Sequence, residues 1–395
     1  MDAHALPSVV APRSVGRLRI LFWNQSFLPT IGGVEAFTAR LAGKLIARGH
    51  DALVIADRHP GDLPETDELD GIPVRRLGFF EALTLRGSDP RAALRAHGDI
   101  LAAVSALKRT FRPDVVHVNL ADASPFFHLR TIAAHPCPTV VTLQAALSRR
   151  ATDSQSVTAS LLRQSTRIVA ISRAAAANLV AHTDQAPAEI DIIAPGIPVA
   201  EFAPTRPPAA SPIPTIAFLG RLVPEKGAQT AIEAVGELAG AARLRVIGDG
   251  PERPRLQALV RARDWQHLIS FEGAVDDAER CNILSESFAL VVPSRHEELF
   301  GMVAVEGALC GLPVVASAKG GLQEIVEPGV TGYLAPPDDA SAFARHLRSL
   351  LADPGGARRM GAAGRAKARA LYTIELTADR YEQLYADCVA AGRRT

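Results

Sequence analysis

A chain of 395 residues is longer than one hydrophobic core usually supports, so we expect two domains, and 48% apolar with 22% charged residues is the composition of a folded globular protein. The formal net charge of +1 argues against a nucleic-acid partner and against strong attraction to an anionic membrane. The sequence has no apolar run of the ~18–20 residues that cross a bilayer, and its four cysteines lack metal-binding spacing. These features predict a cytoplasmic protein with reduced thiols.

The first half of the chain alternates short apolar runs with amphipathic stretches. Residues 1–16 have neither the basic start nor the apolar core of an export signal, and we interpret them as a flexible N-terminal extension. After them, the patterns predict strands at 19–23, 52–56, 114–119, 139–144, 167–172 and 190–193, and helices at 34–48, 90–112 and 173–181. Such alternation indicates a parallel sheet with helices on its faces.

The long helix at 90–112 carries both apolar and basic residues. Its apolar positions, which include Leu94 and Val104, are predicted to face the core, and its basic positions, which include Lys108, are predicted to face solvent. A basic amphipathic helix can also lie on a membrane surface, so peripheral contact with the inner face of the membrane stays open.

Polar residues and glycines stand where several predicted strands end or helices begin. Asn119, Gln144 and Ser172 end strands, and open α/β sheets bind ligands at the carboxyl ends of their strands. A single polar residue at a strand end more often caps a helix or closes a turn than binds a ligand. Gly32 and Gly33 precede the first helix, where they allow either a tight turn or the close approach of a ligand to backbone N–H groups. Both interpretations stay open for all five residues.

A proline-rich stretch separates the two halves of the chain. Residues 202–214 contain five prolines, and we interpret them as a linker between a domain at 17–201 and a domain at 215–373. The second half predicts strands at 215–219, 244–247, 269–271, 288–292 and 312–317, and helices at 229–239, 253–263 and 302–310. Two further helices and a last helix at 374–390 follow, and this last helix belongs to a C-terminal helix and tail at 374–395. The fold class is therefore α/β, with two Rossmann-like doubly wound domains facing each other across a cleft.

Four charged residues of the second half lie beside predicted strand ends. Arg221 and Lys226 share a glycine-bounded loop after the first strand of this half, and such a pair suits a phosphate group. Glu298 and Glu306 flank the N-terminus of the helix at 302–310, whose N–H groups favour an anion. A carboxylate near a phosphate site commonly accepts ribose hydroxyls. The constellation predicts a site for a phosphorylated ligand.

The same residues carry a resemblance to a known family. The chain resembles the retaining, nucleotide-sugar-dependent glycosyltransferases of family 4, which have the GT-B fold, and the E-x7-E motif of that family stands at Glu298 and Glu306. The other family blocks follow in the expected order: PTIGGVE (29–35), DVVHVN (114–119), IAPGIP (193–198), GRLVPEKG (220–227), GDGPE (248–252) and GGLQEIVEPGVTGYL (320–334). Single blocks are weak signals, but the ordered set is strong and covers most of the chain.

The resemblance implies a role for each candidate residue. Arg221 and Lys226 would hold the donor diphosphate and stabilise the leaving group, and Glu298 would hold the donor sugar, so these three are the candidate catalytic residues. Glu306 would accept the ribose hydroxyls. The other implied donor-binding residues are Gly33, Gln144, Gly273, Val275, Leu299, Phe300, Gly301 and Met302, and the implied acceptor-binding residues are Asn119 and Gln144. No metal and no cofactor would be required.

The resemblance also implies an overall reaction. The enzyme would move a hexose-type sugar, with retention, from a UDP- or GDP-linked donor to a glycan, a lipid-linked intermediate or a small molecule. The C-terminal helix would cross back to the first domain. The family often has His where this chain has Gln144, so a relative that binds the donor without efficient transfer stays open as an alternative.

Other reactions fit the sequence less well. The GDG turn at 248–250 lacks the third glycine of a nicotinamide-binding turn. A two-domain solute-binding protein should carry an export signal. Sugar epimerisation on the same fold is disfavoured by the spacing of Glu298 and Glu306.

Overall fold

The computed structural model describes residues 16–30, 32–59, 63–84, 90–120, 123–147, 153, 156–202 and 213–392. The described residues form two compact units, one drawn from 1–142, 151–168 and 375–395, and the other from 143–150 and 169–374. The predicted N-terminal extension (apart from Gly16) and most of the predicted linker (203–212) lie outside the described residues. The predicted domain limits stay predictions.

The first sheet has eight strands in the order β3-β4-β2-β1-β5-β6-β7-β8. Its strands and neighbouring helices are β1 (Arg19–Trp23), α1 (Gly33–Ala47), β2 (Asp51–Asp57), β3 (Thr66–Leu69), β4 (Ile72–Leu77), α2 (Phe79–Thr84), α3 (Pro90–Phe111), β5 (Val115–Leu120), α4 (Pro125–Arg130), β6 (Thr139–Leu143), α5 (Val157–Gln164), β7 (Arg167–Ala170), α6 (Arg173–His182) and β8 (Ile190–Ile192). β1 is parallel to both β2 and β5, and Leu21 lies opposite Leu53 on one side and Val116 on the other. The strand order therefore reverses between β1 and β5.

The second sheet has six strands in the order β11-β10-β9-β12-β13-β14, and every pairing is parallel. Its elements are β9 (Thr215–Leu219), α7 (Ala228–Gly236), β10 (Arg243–Ile247), α8 (Arg253–Ala262), β11 (Ile269–Gly273), α9 (Asp277–Glu286), β12 (Ala289–Val292), α10 (Met302–Leu309), β13 (Val314–Ser317), α11 (Leu322–Ile325), β14 (Gly332–Ala335), α12 (Ala340–Ala352) and α13 (Pro354–Leu371). The apolar runs of these strands are buried on both faces, as parallel sheets covered by helices require. The order reverses between β9 and β12.

The last helix, α14 (Ile374–Gly392), packs on the first unit as predicted. The hydroxyl of Tyr381 is 2.9 Å from Thr142 Oγ1, and that of Tyr385 is 2.6 Å from His117 Nδ1. At the surface, Arg48 forms an ion pair with Asp379 at 2.7 Å. Buried hydrogen bonds and peripheral ion pairs thus attach the end of the chain to the first sheet.

The structure confirms the predicted alternation of strands and helices. Most observed element ends differ from the predicted ends by one or two residues, because a local pattern locates an element better than it locates its ends. The antiparallel pair β3 and β4 was not predicted, and neither were the helices α2, α4, α5, α9 and α11.

Two positions on α3 correct the assignment of its faces. Leu94, predicted to be buried, is 76% exposed, whereas Lys108, predicted to be solvated, is 1% exposed. Lys108 Nζ lies 3.0 Å from His128 Nδ1 and donates to Thr131 Oγ1 at 2.9 Å, and burial lowers the pKa of this ammonium to about 8. A lysine with such partners fits inside the unit despite its charge.

Among the residues that the structure describes, none of the helices is both long and apolar enough to cross a membrane.

Candidate active site

The second sheet reverses its strand order between β9 and β12, and the loops that follow these two strands carry the predicted catalytic residues. In open parallel sheets, such a reversal leaves a crevice at the carboxyl ends of the strands, because the connections on either side run to opposite faces. Arg221 and Lys226 follow β9, and Glu298 follows β12. The fold therefore brings residues more than 70 positions apart to one edge of one sheet.

The loop after β9 lies directly against the end of β12. It ends at Gly227, which has a positive φ of 69° and is the N-cap residue of α7. A Cβ at this position would lie 2.0 Å from the carbonyl oxygen of Pro293. The backbone N–H of Arg295 also donates to the carbonyl of Glu225 at 2.8 Å. Only glycine combines this conformation with this contact, so Gly227 holds Lys226 beside the second loop.

Lys226 and Glu298 form an ion pair. Lys226 Nζ donates to Glu298 Oε1 at 2.6 Å, and the two side chains are 29% and 14% exposed. Ser294 Oγ donates to the same carboxylate oxygen at 2.8 Å, and His296 Nε2 lies 3.7 Å from Oε2. Burial by itself would raise the pKa of Glu298, but Lys226, Ser294 and His296 outweigh it and lower that pKa below its ordinary value. Glu298 is therefore an anion at neutral pH and a poor proton donor.

The first turn of α10 follows Glu298, and three glycines lie close to the chain between Glu298 and that turn. Gly320 has a φ of 50°, and a Cβ there would lie 2.1 Å from the carbonyl oxygen of Glu298. The N–H of Gly321 donates to that same oxygen at 2.7 Å. Gly301 precedes the helix with a φ of 110°, and no side chain caps the first turn. This leaves a helix N-terminus of the kind that binds anions beside the ion pair.

The predicted residues around this turn differ in exposure. Leu299 and Phe300 are 7% and 5% exposed, and Met302 is half-buried. The hydroxyl of Ser172, which also caps α6 by accepting from Ala175 N, donates to the carbonyl of Leu299. Of the two interpretations left open for Ser172, the structure thus supports the helix cap.

Glu306 lies one turn into α10 and is 8% exposed. Its Oε2 is 3.4 Å from Nε of Arg280, a residue of α9. Gly273 ends β11 with a φ of 79° and lies close to a guanidinium, since a Cβ there would be 3.4 Å from Arg253 Nη1. Val275 follows it and is half-buried. The predicted base residues thus lie at and just after the end of β11, and the predicted ribose residue lies on the helix after β12. Both β11 and β12 belong to the sheet whose loops carry Lys226 and Glu298.

Three predicted residues lie at the start of α1, on β5 and directly after β6. Gly33 is exposed at the start of α1, and a Cβ there would meet no described atom within 4 Å. Asn119 is 1% exposed, and its Nδ2 donates to Asn24 Oδ1 at 2.9 Å and Thr38 Oγ1 at 3.0 Å. Gln144 follows β6 and is half-buried. The binding roles of these residues stay predictions, as do those of the residues on the second sheet.

Comparison with known proteins places this arrangement in a family. A family model described as Glycosyl transferases group 1 matches residues 203–367, and one described as Glycosyltransferase Family 4 matches residues 31–201. The chain is 31% identical to the glycogen synthase of Mycobacterium tuberculosis strain H37Rv, over 93% of this chain and 94% of that protein. The chain belongs to glycosyltransferase family 4.

Other relatives and solved structures agree with this assignment. The glycosyltransferase is 30% identical to the D-inositol 3-phosphate glycosyltransferase of Frankia alni, over 85% of this chain and 90% of that one. Sucrose-phosphate synthase from Thermosynechococcus elongatus has a TM-score of 0.79 at 24% identity and covers 95% of this chain and 100% of its own. Anabaena HepE in complex with UDP and glucose has a TM-score of 0.75 at 20% identity, and the match covers 93% of this chain and 99% of HepE. These likenesses confirm the GT-B fold.

Sequence reasoning missed three side chains of the glycosyltransferase that contact its predicted site. Ser294 and His296 both lie within five positions of Glu298, so the loop after β12 could have drawn attention to them. Arg280 lies on a helix that was not predicted, 26 positions before Glu306, and nothing in the local pattern marks it. Arg221, by contrast, was predicted, is exposed and has no ion-pair partner among the described residues.

Proposed function

We propose that this glycosyltransferase moves a hexose-type sugar, with retention and without a metal, from a UDP- or GDP-linked donor to a hydroxyl-bearing acceptor. The observation that carries the proposal is the Lys226–Glu298 pair at the strand-order reversal, beside an uncapped helix N-terminus. A cation, a carboxylate and a row of backbone N–H groups at one sheet edge suit a sugar joined to a diphosphate.

Arg221 and Lys226 stabilise the leaving group in this proposal. When the bond between the sugar and the diphosphate breaks, negative charge develops on the departing oxygen, and cations fixed near that oxygen lower the barrier. Lys226 is already oriented by Glu298, whereas Arg221 is exposed and without an ion-pair partner among the described residues, so its guanidinium is available to the diphosphate. Two such cations would perform the role that a metal has in other transferases.

Glu298 is proposed to hold the donor sugar and to orient Lys226. Because its carboxylate is anionic and engaged by Lys226 and Ser294, it is a hydrogen-bond acceptor for sugar hydroxyls and a poor general acid. Leu299, Phe300, Gly301 and Met302 would contribute backbone groups. We propose that the acceptor attacks from the face that the diphosphate leaves, and that the diphosphate receives the acceptor proton.

The rest of the donor would extend along the same sheet. Glu306 would accept the two ribose hydroxyls, and the backbone of Gly273 and Val275 would lie near the base. UDP is supported by the Anabaena HepE structures, which are complexes with UDP and with UDP-glucose. Gly33 would allow the first sheet's first helix to approach the diphosphate.

The acceptor is proposed only by class. The curated relatives are named for glycogen synthesis, for D-inositol 3-phosphate and for 2-deoxystreptamine, which are a glycan, a small phosphorylated polyol and a small aminocyclitol. Glycan, lipid-linked and small-molecule acceptors are therefore all candidates, with Asn119 and Gln144 as the proposed contacts. We place the reaction in the cytoplasm, where the four free cysteines would stay reduced, with at most peripheral membrane contact.

The proposal is tested by incubating the purified protein with UDP- and GDP-linked hexoses, each with and without EDTA and with members of the three acceptor classes. Three results together support the proposal: release of UDP or GDP increases with one acceptor, the release is unchanged by EDTA, and the product has the donor's anomeric configuration. Loss of activity in EDTA refutes metal independence. An inverted product refutes retention.

A second candidate is a relative that binds the donor but transfers the sugar poorly. Gln144 favours it, because a neutral amide stands where the family often has His. Donor binding without acceptor-dependent release of nucleotide, together with a gain of transfer in Gln144→His, would support this second candidate. Ordinary transfer by the parent protein and no gain in Gln144→His would eliminate it.

A further inference from the structure

Glu306 is a buried carboxylate, and the guanidinium of Arg280 lies beside it. Arg280 Nε is 3.4 Å from Glu306 Oε2, and the two side chains are 18% and 10% exposed. Burying a carboxylate without a compensating charge is costly, and α10 is otherwise an apolar helix. Arg280 supplies that charge from α9, the helix that follows the predicted base-binding residues Gly273 and Val275.

The guanidinium of Arg280 is held from two further directions. Its Nη1 lies 2.9 Å from Asp277 Oδ1, one turn earlier on α9. Its central carbon lies 5.6 Å from the centre of the Phe202 ring, which is a cation–π distance. Nε is buried and makes no hydrogen bond with any residue that the structure describes. The guanidinium is therefore fixed in position while its Nε donor toward Glu306 stays unused.

We propose that Arg280 is a positioning residue that orients the carboxylate of Glu306 for the ribose hydroxyls of the donor. The inference rests on the proposed function, since it requires a ribonucleotide donor. Two ribose hydroxyls need the carboxylate plane in one orientation, and a fixed guanidinium near one oxygen restricts rotation of that plane. The positive charge of Arg280 also attracts the carboxylate of Glu306, whose oxygens accept hydrogen bonds. Arg280 acts through Glu306 and has no assigned contact with the donor.

A purely structural role for Arg280, as a tie between α9 and α10, makes a different prediction. Loss of a structural tie weakens the binding of every nucleotide to a similar extent. Loss of a positioning group weakens only ligands that have ribose hydroxyls. The ratio of the Kd for 2′,3′-dideoxy-UDP to the Kd for UDP therefore separates the two roles.

Isothermal titration calorimetry on the full chain first compares UDP, ADP and GDP and selects the nucleotide that binds most tightly. The Kd of that nucleotide and the Kd of its 2′,3′-dideoxy analogue are then measured. We expect a ratio of about tenfold or more in the parent protein, because hydrogen bonds to a charged group contribute at least that factor. The ratio should fall toward one in Glu306→Gln and in Arg280→Met. Arg280→Lys should keep a clear part of it.

Arg245→Met is the matched control, because Arg245 belongs to the same unit, is 23% exposed and pairs with two carboxylates that have no proposed role in binding, Glu272 and Glu286. It should leave the ratio at the parent value. An unchanged ratio in Arg280→Met would overturn the inference while the proposed function stands. A parent protein that binds none of the three nucleotides would refute the proposed function itself, and a parent ratio near one would refute the role of Glu306 and the inference with it. If Arg280→Met does not fold, Arg280→Gln replaces it, with the same expected fall and the same refuting result.

Discussion

Replacing Lys226 with methionine should destabilise the glycosyltransferase more than neutralising its partner does. The pair is separated by 2.6 Å, with side chains 29% and 14% exposed. Two charges with centres about 4 Å apart attract by ~4 kcal/mol at an effective dielectric constant of ~20, and desolvation offsets part of this. Lys226→Met leaves a buried carboxylate with Ser294 as its remaining hydrogen-bond donor, so we expect a loss of about 2–3 kcal/mol.

The double-mutant cycle separates the pair from its surroundings. Glu298→Gln should cost only about 1 kcal/mol, because the amide stays uncharged beside Lys226, which is partly solvated. The double variant should lose about as much stability as Glu298→Gln alone, which gives a coupling energy of about 2–3 kcal/mol in magnitude. Thermal unfolding measures these losses, and a loss of 2–3 kcal/mol corresponds to a midpoint lower by roughly 4–12 °C.

The pH dependence of the Lys226→Met deficit follows from the pKa of Glu298. In the parent protein that pKa is lowered against the effect of burial, so the pair contributes stability above the ordinary carboxyl pKa and loses it as the pH falls through the lowered value. Without Lys226, burial raises the pKa, and the carboxylate destabilises the fold at neutral pH. The deficit should therefore shrink as the pH falls from 7 to about 4. Strictly additive single losses, or a deficit that is equal at both pH values, would refute this account of the pair.

Three further predictions concern other parts of the molecule. Gly320→Ala should lower the unfolding midpoint and abolish transfer, because its Cβ would lie 2.1 Å from a carbonyl oxygen. Gly311→Ala has a similar positive φ of 79°, but its Cβ would meet no described atom within 4 Å, so it should cost only about 1 kcal/mol. Equal losses in the two variants would contradict the contact. Burial lowers the pKa of His117 to about 3, so the unfolded chain takes up a proton below about pH 6.5 while the folded protein does not, and stability should fall from pH 6.5 toward pH 4. His117→Gln should be less stable at pH 7 and have a shallower dependence, measured as the thermal midpoint against pH, and an unchanged slope would show that His117 titrates normally in the fold. Arg221→Ala should lower kcat/KM for transfer by about 100-fold or more with the unfolding midpoint unchanged, since the side chain is exposed and has no ion-pair partner among the described residues; ordinary kcat/KM would remove Arg221 from the catalytic set.

The contacts of Glu298 and Glu306 bear on the chemical roles of these two carboxylates. Glu298 is bound to Lys226 and Ser294, and Glu306 faces Arg280 from the next helix. Each carboxylate therefore has its own cation, and neither is placed as the proton donor of an acid–base couple. This arrangement agrees with two separate holding roles, one toward the sugar and one toward the ribose.

Local pattern was sufficient for the elements that carry the site. Apolar runs such as 288–292, and the glycines at 227, 301 and 320, express conformational requirements of a few neighbouring residues, so the strands, the loops and the helix of Glu306 could be predicted. The resemblance to family 4 depended on the same local blocks. For that reason the fold class and the enzyme class were both available before the structure.

The order of the strands was decided only by tertiary structure. The local sequence around Lys226 does not predict that β9 pairs with β12, and it is this pairing that brings Lys226 within 2.6 Å of Glu298. The same applies to Lys108, whose charge predicted a solvated position but whose partners on α4 and after it made burial favourable, and to Arg280, which no local pattern distinguishes from other surface arginines. The periodicity of apolar residues predicts which face of one segment is buried, whereas the packing of the whole unit decides which strands and helices become its neighbours. The sequence by itself determined which residues are candidates for a donor site, because their local spacing marks them, and the packing of the sheet determined which of these candidates meet.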